Sequence, residues 1–524
     1  MKGKLFLIAI ILCTFLALLV PSSCGSSASS DGTLNLYGLA PSTLDPALAR
    51  SEVPLAYVVE IFSGLVSFDP DLKLVPDLAK GWTVSNDGTV YTFRLREGAK
   101  FSNGRELTAH DVKYSLERTC DPATGSQTAM TYLGDIVGVS ERLSGVADEV
   151  SGISVLDDVT LRITIDAPKA YFLSKLAYPA AYVVDRYNVE SGNQWWRQPV
   201  GTGPFRLEEW KSDTIVLRKN EYYHLEPPRL ESVVYKLYGG IPMRMYENGE
   251  IDITEVFMGD IERVLDPRSV FNKDLRVVPE FSLFIIGFNS AAPPFDDLNV
   301  RLAFSHAIDK DKLVSLVLKN TVVAAAGILP PGIPGYNESM SGLAFDPELA
   351  RDCLARSRYG DASSLPQVTL TSSGHGIPSS VESALADMWR QNLGVEIEIR
   401  QLEPDKYPDL LMGEKDELFI FGWIADYPDP QNFLDILFHS GTADNMGEYS
   451  NPEIDLLLQH ARVEQNVEAR MGLYREIERM LVEDAACLPV YFGKTYRLVK
   501  AHVQNLPLTP FWIPRLKHVY VLPH

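Results

Sequence analysis

Hydrophobic patterns of two different periods alternate along this chain, and that excludes both an all-helical bundle and an all-β sandwich. Asn86-Asp87-Gly88 is a turn signal, and directly after it Tyr91, Phe93 and Leu95 alternate with Thr92, Arg94 and Arg96. This predicts a half-buried strand entered from a hairpin turn. Leu161, Ile163 and Ile165 alternate in the same way after Asp157-Asp158, and Ile215 and Leu217 open another strand after Ser212-Asp213. Elsewhere the period is helical. Val300, Phe304, Ala307 and Ile308 share a face, as do Ile454, Leu457, Leu458 and Ala461. Asn451-Pro452-Glu453 reads as a helix start, with Asn as cap and Pro in the first turn, and residues 453–484 form a long amphipathic run, one helix or two. The class is therefore α/β or mixed α+β. At 524 residues the chain is too long for one ordinary core, so two or three domains are expected.

The N-terminus has a separate character. Lys2 and Lys4 precede an apolar run over residues 5–20, and small residues follow at Pro21-Ser22-Ser23-Cys24-Gly25. A run of that length is short for a spanning helix, which needs about 20 residues. A charged start, a short apolar run and a small-residue end describe a secretory signal over residues 1–23. A Cys directly after the small residues resembles a bacterial lipoprotein signal, with Cys24 as the lipidated first mature residue and residues 24–32 as a Ser-rich tether. Pro21 stands where such signals usually carry Leu, and this leaves plain cleavage or an uncleaved anchor open. The chain is then exported, to the periplasm or to the outer face of the cell membrane.

The formal charge of −21 repels nucleic acid, and loss of the two signal lysines takes it to −23. No later apolar stretch is long enough to span a membrane. Cys120, Cys353 and Cys487 are too far apart to make a disulfide framework or a CxxC pair. There is no GxSxG elbow, no phosphate loop and no HExxH, and Gly201-Thr202-Gly203 lacks the third glycine of a dinucleotide fingerprint, with Arg206 in its place. The acid pairs Asp157-Asp158 and Asp296-Asp297 sit in turn contexts, where solvated turn residues are the plainer reading. Neither an enzyme, a cofactor nor a bound metal is expected.

One segment stands apart: Gly422-Trp423-Ile424-Ala425-Asp426-Tyr427-Pro428-Asp429-Pro430. It follows a strand-like run at 418–421 and leads into an apolar run at 433–438. Its prolines predict a rigid extended loop. Asp426 among aromatics suits a cation in a partly dry pocket, with Trp423 or Tyr427 adding cation–π attraction. The plainer reading is an Asx turn that ends the strand.

Eight pieces, in order over about 400 residues, together resemble the family 5 extracellular solute-binding proteins, the peptide- and nickel-type binding components of ABC importers. Leu44-Asp45-Pro46 resembles the family's opening LDP, and Val75-Pro76-Asp77-Leu78-Ala79-Lys80-Gly81-Trp82 its PxLAxxW segment. Asp87-Gly88 with Tyr91-Thr92-Phe93-Arg94-Leu95-Arg96, Phe101-Ser102-Asn103-Gly104 and Thr108-Ala109-His110-Asp111-Val112 continue it. Gly201-Thr202-Gly203-Pro204-Phe205 resembles its GTGPY element, followed by Gly249-Glu250-Ile251-Asp252 and by Pro293-Pro294-Phe295 with Val300-Arg301-Leu302-Ala303.

The resemblance implies a two-lobed clamshell of the large class, in which the ligand binds the closed state better than the open one. Lobe one would comprise residues 33–282 and 490–524, with 67–190 as an extra domain, and lobe two residues 283–489. The hinge would lie near 281–289 and 489–491. In similar peptide binders the acid of the WxxD segment receives the ligand's α-ammonium, and here that role falls on Asp426. Backbone of Gly422, Trp423, Ile424 and Ala425 would pair with the peptide as an added strand. Residues 51–54, and so Glu52, Val53 and Pro54, would line the opposite face. A basic residue for the peptide carboxylate is expected but not assigned.

The partners implied are a short peptide, ABC permease subunits and the membrane through a lipid on Cys24, with the protein itself a monomer. Relatives of the same fold bind nickel chelates, haem, oligosaccharides or opines. A chelate binder would need a residue such as His375, and a sugar binder aromatics such as Trp195-Trp196. A secreted hydrolase, or a sensor with no transporter, is the rival of another class.

Overall fold

The structure, a computed structural model, describes residues 32–511 and 515–523. The signal, Cys24 and most of the tether lie outside the described residues. Among those described, no helix is long and apolar enough to cross a membrane.

One 11-stranded sheet runs through the molecule. Its strands in chain order are β1 (Thr33–Gly38), β2 (Phe205–Trp210), β3 (Thr214–Lys219), β4 (Ser232–Leu237), β5 (Ile253–Glu255) and β6 (Leu275–Phe288), then β7 (Val368–Ser373), β8 (Ile397–Leu402), β9 (Leu418–Ile424) and β10 (Cys487–Val499). The spatial order is β8-β7-β9-β6-β10-β5-β1-β4-β3-β2, with Val323–Ala324 added onto β10. Each half therefore has its own strands, and β6 and β10 join the halves. These two, 14 and 13 residues long, pair antiparallel from Leu275↔Leu498 to Gly287↔Cys487. Their register slips between Pro279 and Leu283 and again between Phe284 and Ile285. At the first slip Gly493 lies so close that a Cβ there would sit 2.4 Å from the Ser282 hydroxyl. Both slips fall in or beside the stretch expected to act as a hinge.

Separate cores accompany the two halves. In the first, α1 (Glu52–Ile61) packs Tyr57, Val58 and Ile61 against Leu34, Leu217 and Val233. In the second, Phe304, Trp389, Leu370 and Leu418 form one cluster, and Phe433, Tyr474 and Ile477 another. Residues 65–183 close around a core of their own, built on a four-stranded antiparallel sheet ordered Ala79–Val84, Val90–Leu95, Thr160–Thr164, Ile153–Asp157. The strands expected from alternation at 91–95, 161–165 and 215–217 are all present, and Gly88 turns the first hairpin at φ +73°, a backbone that glycine adopts without strain.

The helical expectations hold at Leu298–His306, and residues 453–484 form two helices. With α2 given to Gln431–Phe438, these are α3 (Pro452–Val463) and α4 (Val467–Glu483). Asn451 caps α3 by accepting from the Glu453 and Ile454 N–H groups, and Asn466 caps α4 by accepting from Ala469 N–H.

Candidate functional site

The strand β9 is built to be half open. It pairs with β6 along its whole length, from Ser282↔Ile424 to Phe288↔Leu418. On its other side β7 reaches only Leu418 and Phe419. Ala425 N–H donates to Phe281 C=O at 2.8 Å, so Ala425 faces β6. Backbone groups alternate in an antiparallel pair, so Gly422 and Ile424 turn theirs to the open edge. The expected rigid loop is thus half strand. Residues 422–424 belong to β9, because β6 offers a full ladder of partners. The rest is a tight turn into α2, which Asp429 starts by accepting from Gln431 N–H at 2.9 Å. All eight residues of α2 are buried.

Asp426 stands at the end of β9. Its N–H donates to Asn432 Oδ1 at 3.1 Å, an atom that also accepts from Trp423 Nε1 at 3.3 Å. Its carboxylate accepts from the hydroxyl of Tyr132, a residue of the 65–183 region, and makes no ion pair among the described residues. Tyr132 is itself stacked on Tyr178, ring centroids 3.6 Å apart. Burial pushes the Asp426 carboxyl up to about 6, and no cation offsets it. Its neighbours differ. Asp429 takes a two-armed contact from Arg470 at 2.6 and 2.9 Å, and Asp435 one from Arg462 at 2.7 and 2.8 Å. Arginines of α3 and α4 neutralise those two acids and leave Asp426 unmatched among the described residues.

Asp426, Ala425 and Ile424 form one wall of a cavity of about 250 Å³. The facing wall is α1, through Glu52, Leu55 and Val59, and the aromatic rings of Phe68, Tyr178 and Phe511 enclose it. Three basic side chains, Arg515, Lys517 and His518, also line it. Glu52 is shared with a second cavity of about 370 Å³, which Val53, Tyr57, Tyr235, Glu255 and Arg497 help to line. Burial, with Glu255 adding, pushes the Glu52 carboxyl up to about 7. Arg497 Nη2 donates to Glu255 Oε1 at 3.2 Å. The arrangement is one of recognition: apolar walls, an unpaired acid at one side and cations from the C-terminal segment.

Of the residues singled out in the sequence, Asp426, Ala425, Ile424 and Glu52 meet at the first cavity, and Val53 lies on the second. Pro54 is buried in α1, and Gly422 and Trp423 sit on β9. Tyr427 is fully buried behind the site, its hydroxyl donating to Gln431 Oε1, and takes no part in the lining. Tyr132 and Tyr178 carried no signal in the sequence and come from a distant region. Phe511, Arg515, Lys517 and His518 belong to a C-terminal stretch of Pro, aromatic and basic residues, and that composition was the available signal.

Other candidates have structural roles. A Cβ on Gly201 would sit 2.0 Å from Ile61 C=O and one on Gly203 2.4 Å from Glu60 C=O, so these glycines admit the end of α1. Trp195 is in the core and Trp196 packs on Trp210. His375 is exposed and pairs with Glu403 at 2.8 Å. Cys120, Cys353 and Cys487 are free and buried.

The family model described as bacterial extracellular solute-binding proteins, family 5 middle, matches residues 73–445. The chain is 28% identical to the dipeptide-binding protein DppE of Bacillus subtilis (strain 168) over 487 residues, covering 90% of this chain and 88% of that protein. Among solved structures it is similar to the Escherichia coli murein tripeptide binding protein MppA, with a TM-score of 0.83, 27% identity and coverage of 95% of this chain and 100% of that one. Against the unliganded open form of MppA the TM-score is 0.75, at 28% identity, with 95% of this chain and 98% of that one covered.

Proposed function

Because the chain belongs to the bacterial extracellular solute-binding proteins of family 5, we propose that it captures short peptides between its two lobes and delivers them to the permease of an ABC importer. The observation that carries this reading is the Asp426 carboxylate, held at a cavity wall by a tyrosine hydroxyl with no ion-pair partner among the described residues. A desolvated carboxylate without a counter-charge is unfavourable, and an α-ammonium supplies the missing charge. The open edge at Gly422 and Ile424 offers backbone donors and acceptors to an extended peptide, a contact that reads no side chain. Support comes from relatives named for binding a dipeptide and a murein tripeptide.

The remaining parts of the reading are proposals of the same kind. Lobe one is residues 33–282 with 490–524, lobe two 283–489, and β6 and β10 flex where their register slips. In this reading Tyr132, on the lobe-one side, meets Asp426, on the lobe-two side, in a closed arrangement, and the lower TM-score to the unliganded open form of MppA, 0.75 against 0.83, supports it. Export, lipidation at Cys24 and a monomeric state complete the proposal. A chelate or sugar reading has less to draw on, since His375 and Trp195 lie away from the cavity.

The test is to purify the full-length protein, denature it and identify released small molecules by mass spectrometry. A ligand at a hundredfold excess over Kd stabilises the folded protein by about 2.7 kcal/mol, and one that binds tightly dissociates slowly enough to be carried through purification. A ladder of short peptides with mixed side chains is the expected result. A single sugar or metal chelate would overturn the ligand and keep the fold.

A further inference from the structure

A strand inside a sheet is ordinarily paired on both sides, and β9 lies between β7 and β6. Its side toward β7 is nevertheless open over most of its length, so something in this chain stops that ladder. The pairing with β7 is parallel and holds Leu370↔Leu418 and Thr371↔Phe419. One step further would set Ser372 against Ile420. Rungs of a parallel pair run from one residue to the neighbours of its opposite number, so the next rung would join Ser373 N–H to Ile420 C=O.

That place is taken. The Tyr407 hydroxyl lies 3.1 Å from Thr371 C=O and also reaches Ile420 C=O. It stands between β7 and β9, its one proton shared between carbonyls of the two strands. Burial raises the Tyr407 pKa, so the hydroxyl keeps that proton. The side chain is also held in place. Tyr407 is buried and opens the short helix Tyr407–Leu411, and its N–H donates to Glu403 C=O at 3.1 Å. Past this point β7 follows β8 instead: Ser373 pairs with Leu402, and Gly374 N–H donates to Leu402 C=O at 2.8 Å. The outer edge of β9 at Gly422 and Ile424 is left without a strand among the described residues.

An open edge is what strand addition needs. The strongest competitor for it is a strand of the same chain, present at an effective concentration on the order of millimolar. We propose that Tyr407 is a positioning residue: its hydroxyl takes the next rung of the β7–β9 ladder and keeps the edge of β9 free for an incoming extended peptide. This rests on the reading above, in which a peptide pairs with that edge, and adds the group that holds the edge open. Tyr407 is not among the residues lining the cavity beside Asp426, so it acts through the strand.

The experiment uses the full-length protein stripped of co-purified ligand. Amide hydrogen exchange is followed at Gly422, and Ala-Leu-Ala is titrated as the probe. In the unaltered protein the Gly422 amide is expected to exchange fast, and to slow at least about tenfold when the peptide is bound. Tyr407→Leu is too short to reach the two carbonyls. There the Gly422 amide slows at least about tenfold with no peptide present, as β7 and β9 zip together, and affinity falls about fivefold to tenfold. Tyr407→Phe keeps the ring, loses the proton and lies between the two. Adding Ser373→Pro to Tyr407→Leu removes the donor of the new rung and restores both fast exchange and affinity, a rescue that a merely structural role for Tyr407 would not give. Tyr407→Met serves if the Leu variant does not fold. Fast exchange at Gly422 in ligand-free Tyr407→Leu, or no rescue by Ser373→Pro, overturns the inference whatever the affinity. Protection gained at Gly422 with affinity unchanged supports the role of Tyr407 and overturns peptide pairing on that edge. If Ala-Leu-Ala does not bind the unaltered protein, the peptide reading fails, and the exchange data still decide the role of Tyr407.

Discussion

Asp135 and Asp426 are both acids withdrawn from water, one inside the 65–183 region and one at the wall of the first cavity. Asp135 accepts from Lys169 Nζ at 2.6 Å and Lys175 Nζ at 2.8 Å. Burial raises its pKa, but the two lysines overcome this and hold it below the ordinary value. At Asp426 burial acts with only the Tyr132 hydroxyl and the Asn432 side chain against it, and the carboxyl rises to about 6. The first acid is completed by its own chain. The second is left without a counter-charge among the described residues, which is what the proposed ammonium-binding role requires of it.

The sharpest way to break this comparison is to remove each acid in turn. Asp135→Asn leaves two buried lysines without their shared partner and should cost about 3–5 kcal/mol of stability, read as a fall in urea midpoint, with peptide affinity little changed in the folded fraction. Asp426→Asn should do the opposite. Affinity for a free-amine peptide falls by about thirtyfold to several thousandfold, from the 2–5 kcal/mol a lost charge partner typically costs, while stability at pH 7 holds or rises. Equal affinity for free-amine peptide in Asp426→Asn by calorimetry would end the role assigned to that residue.

The pH dependence sharpens the contrast further. Asp426 has a folded pKa raised from 3.8 to about 6, so it disfavours the folded state once it ionises. The unliganded protein therefore loses up to about 3 kcal/mol relative to Asp426→Asn as pH rises from about 4 to about 6, and the gap stays constant above that. Asp135 has the opposite sign: its pKa is depressed, so its contribution is present above the unfolded carboxyl value and is lost as pH falls through the folded one. Unfolding curves for the two Asn variants across pH 3–8 should diverge in these directions. Peptide affinity of the unaltered protein should rise with pH through about 6, and that step should be lost in Asp426→Asn, leaving only the change that Glu52 brings near 7.

The smallest expected effect is at the donor. Tyr132→Phe removes the hydroxyl that meets Asp426 across the cleft and should weaken free-amine peptide by about tenfold, as for one hydrogen bond to a charged group. A loss as large as that of Asp426→Asn would mean that Tyr132, not the carboxylate, carries the contact.

Much of the fold was legible in the sequence because it depends on near neighbours. Alternation at Tyr91, Phe93 and Leu95 produced its strand, Asn451-Pro452 its helix start, and the order of short motifs a two-lobed binding protein. Asp426 stood out for the aromatics and prolines around it. The reading of residues 422–424 as loop failed because pairing with β6 depends on a partner over 130 residues away in sequence, which local propensity cannot register.

The sequence alone determined the class of fold, the family and one acid worth watching, since these rest on periodicity and on motifs a few residues long. Tertiary structure alone decided which acids are spent and which are free. Asp429, Asp435 and Asp426 look alike over ten residues of sequence, yet Arg470 and Arg462, from α4 and α3, reach only the first two. It likewise decided that the C-terminal Lys517 shares a cavity with Asp426. Charge compensation is set by distance in space, and the chain brings these groups together only when β6 and β10 join its two halves.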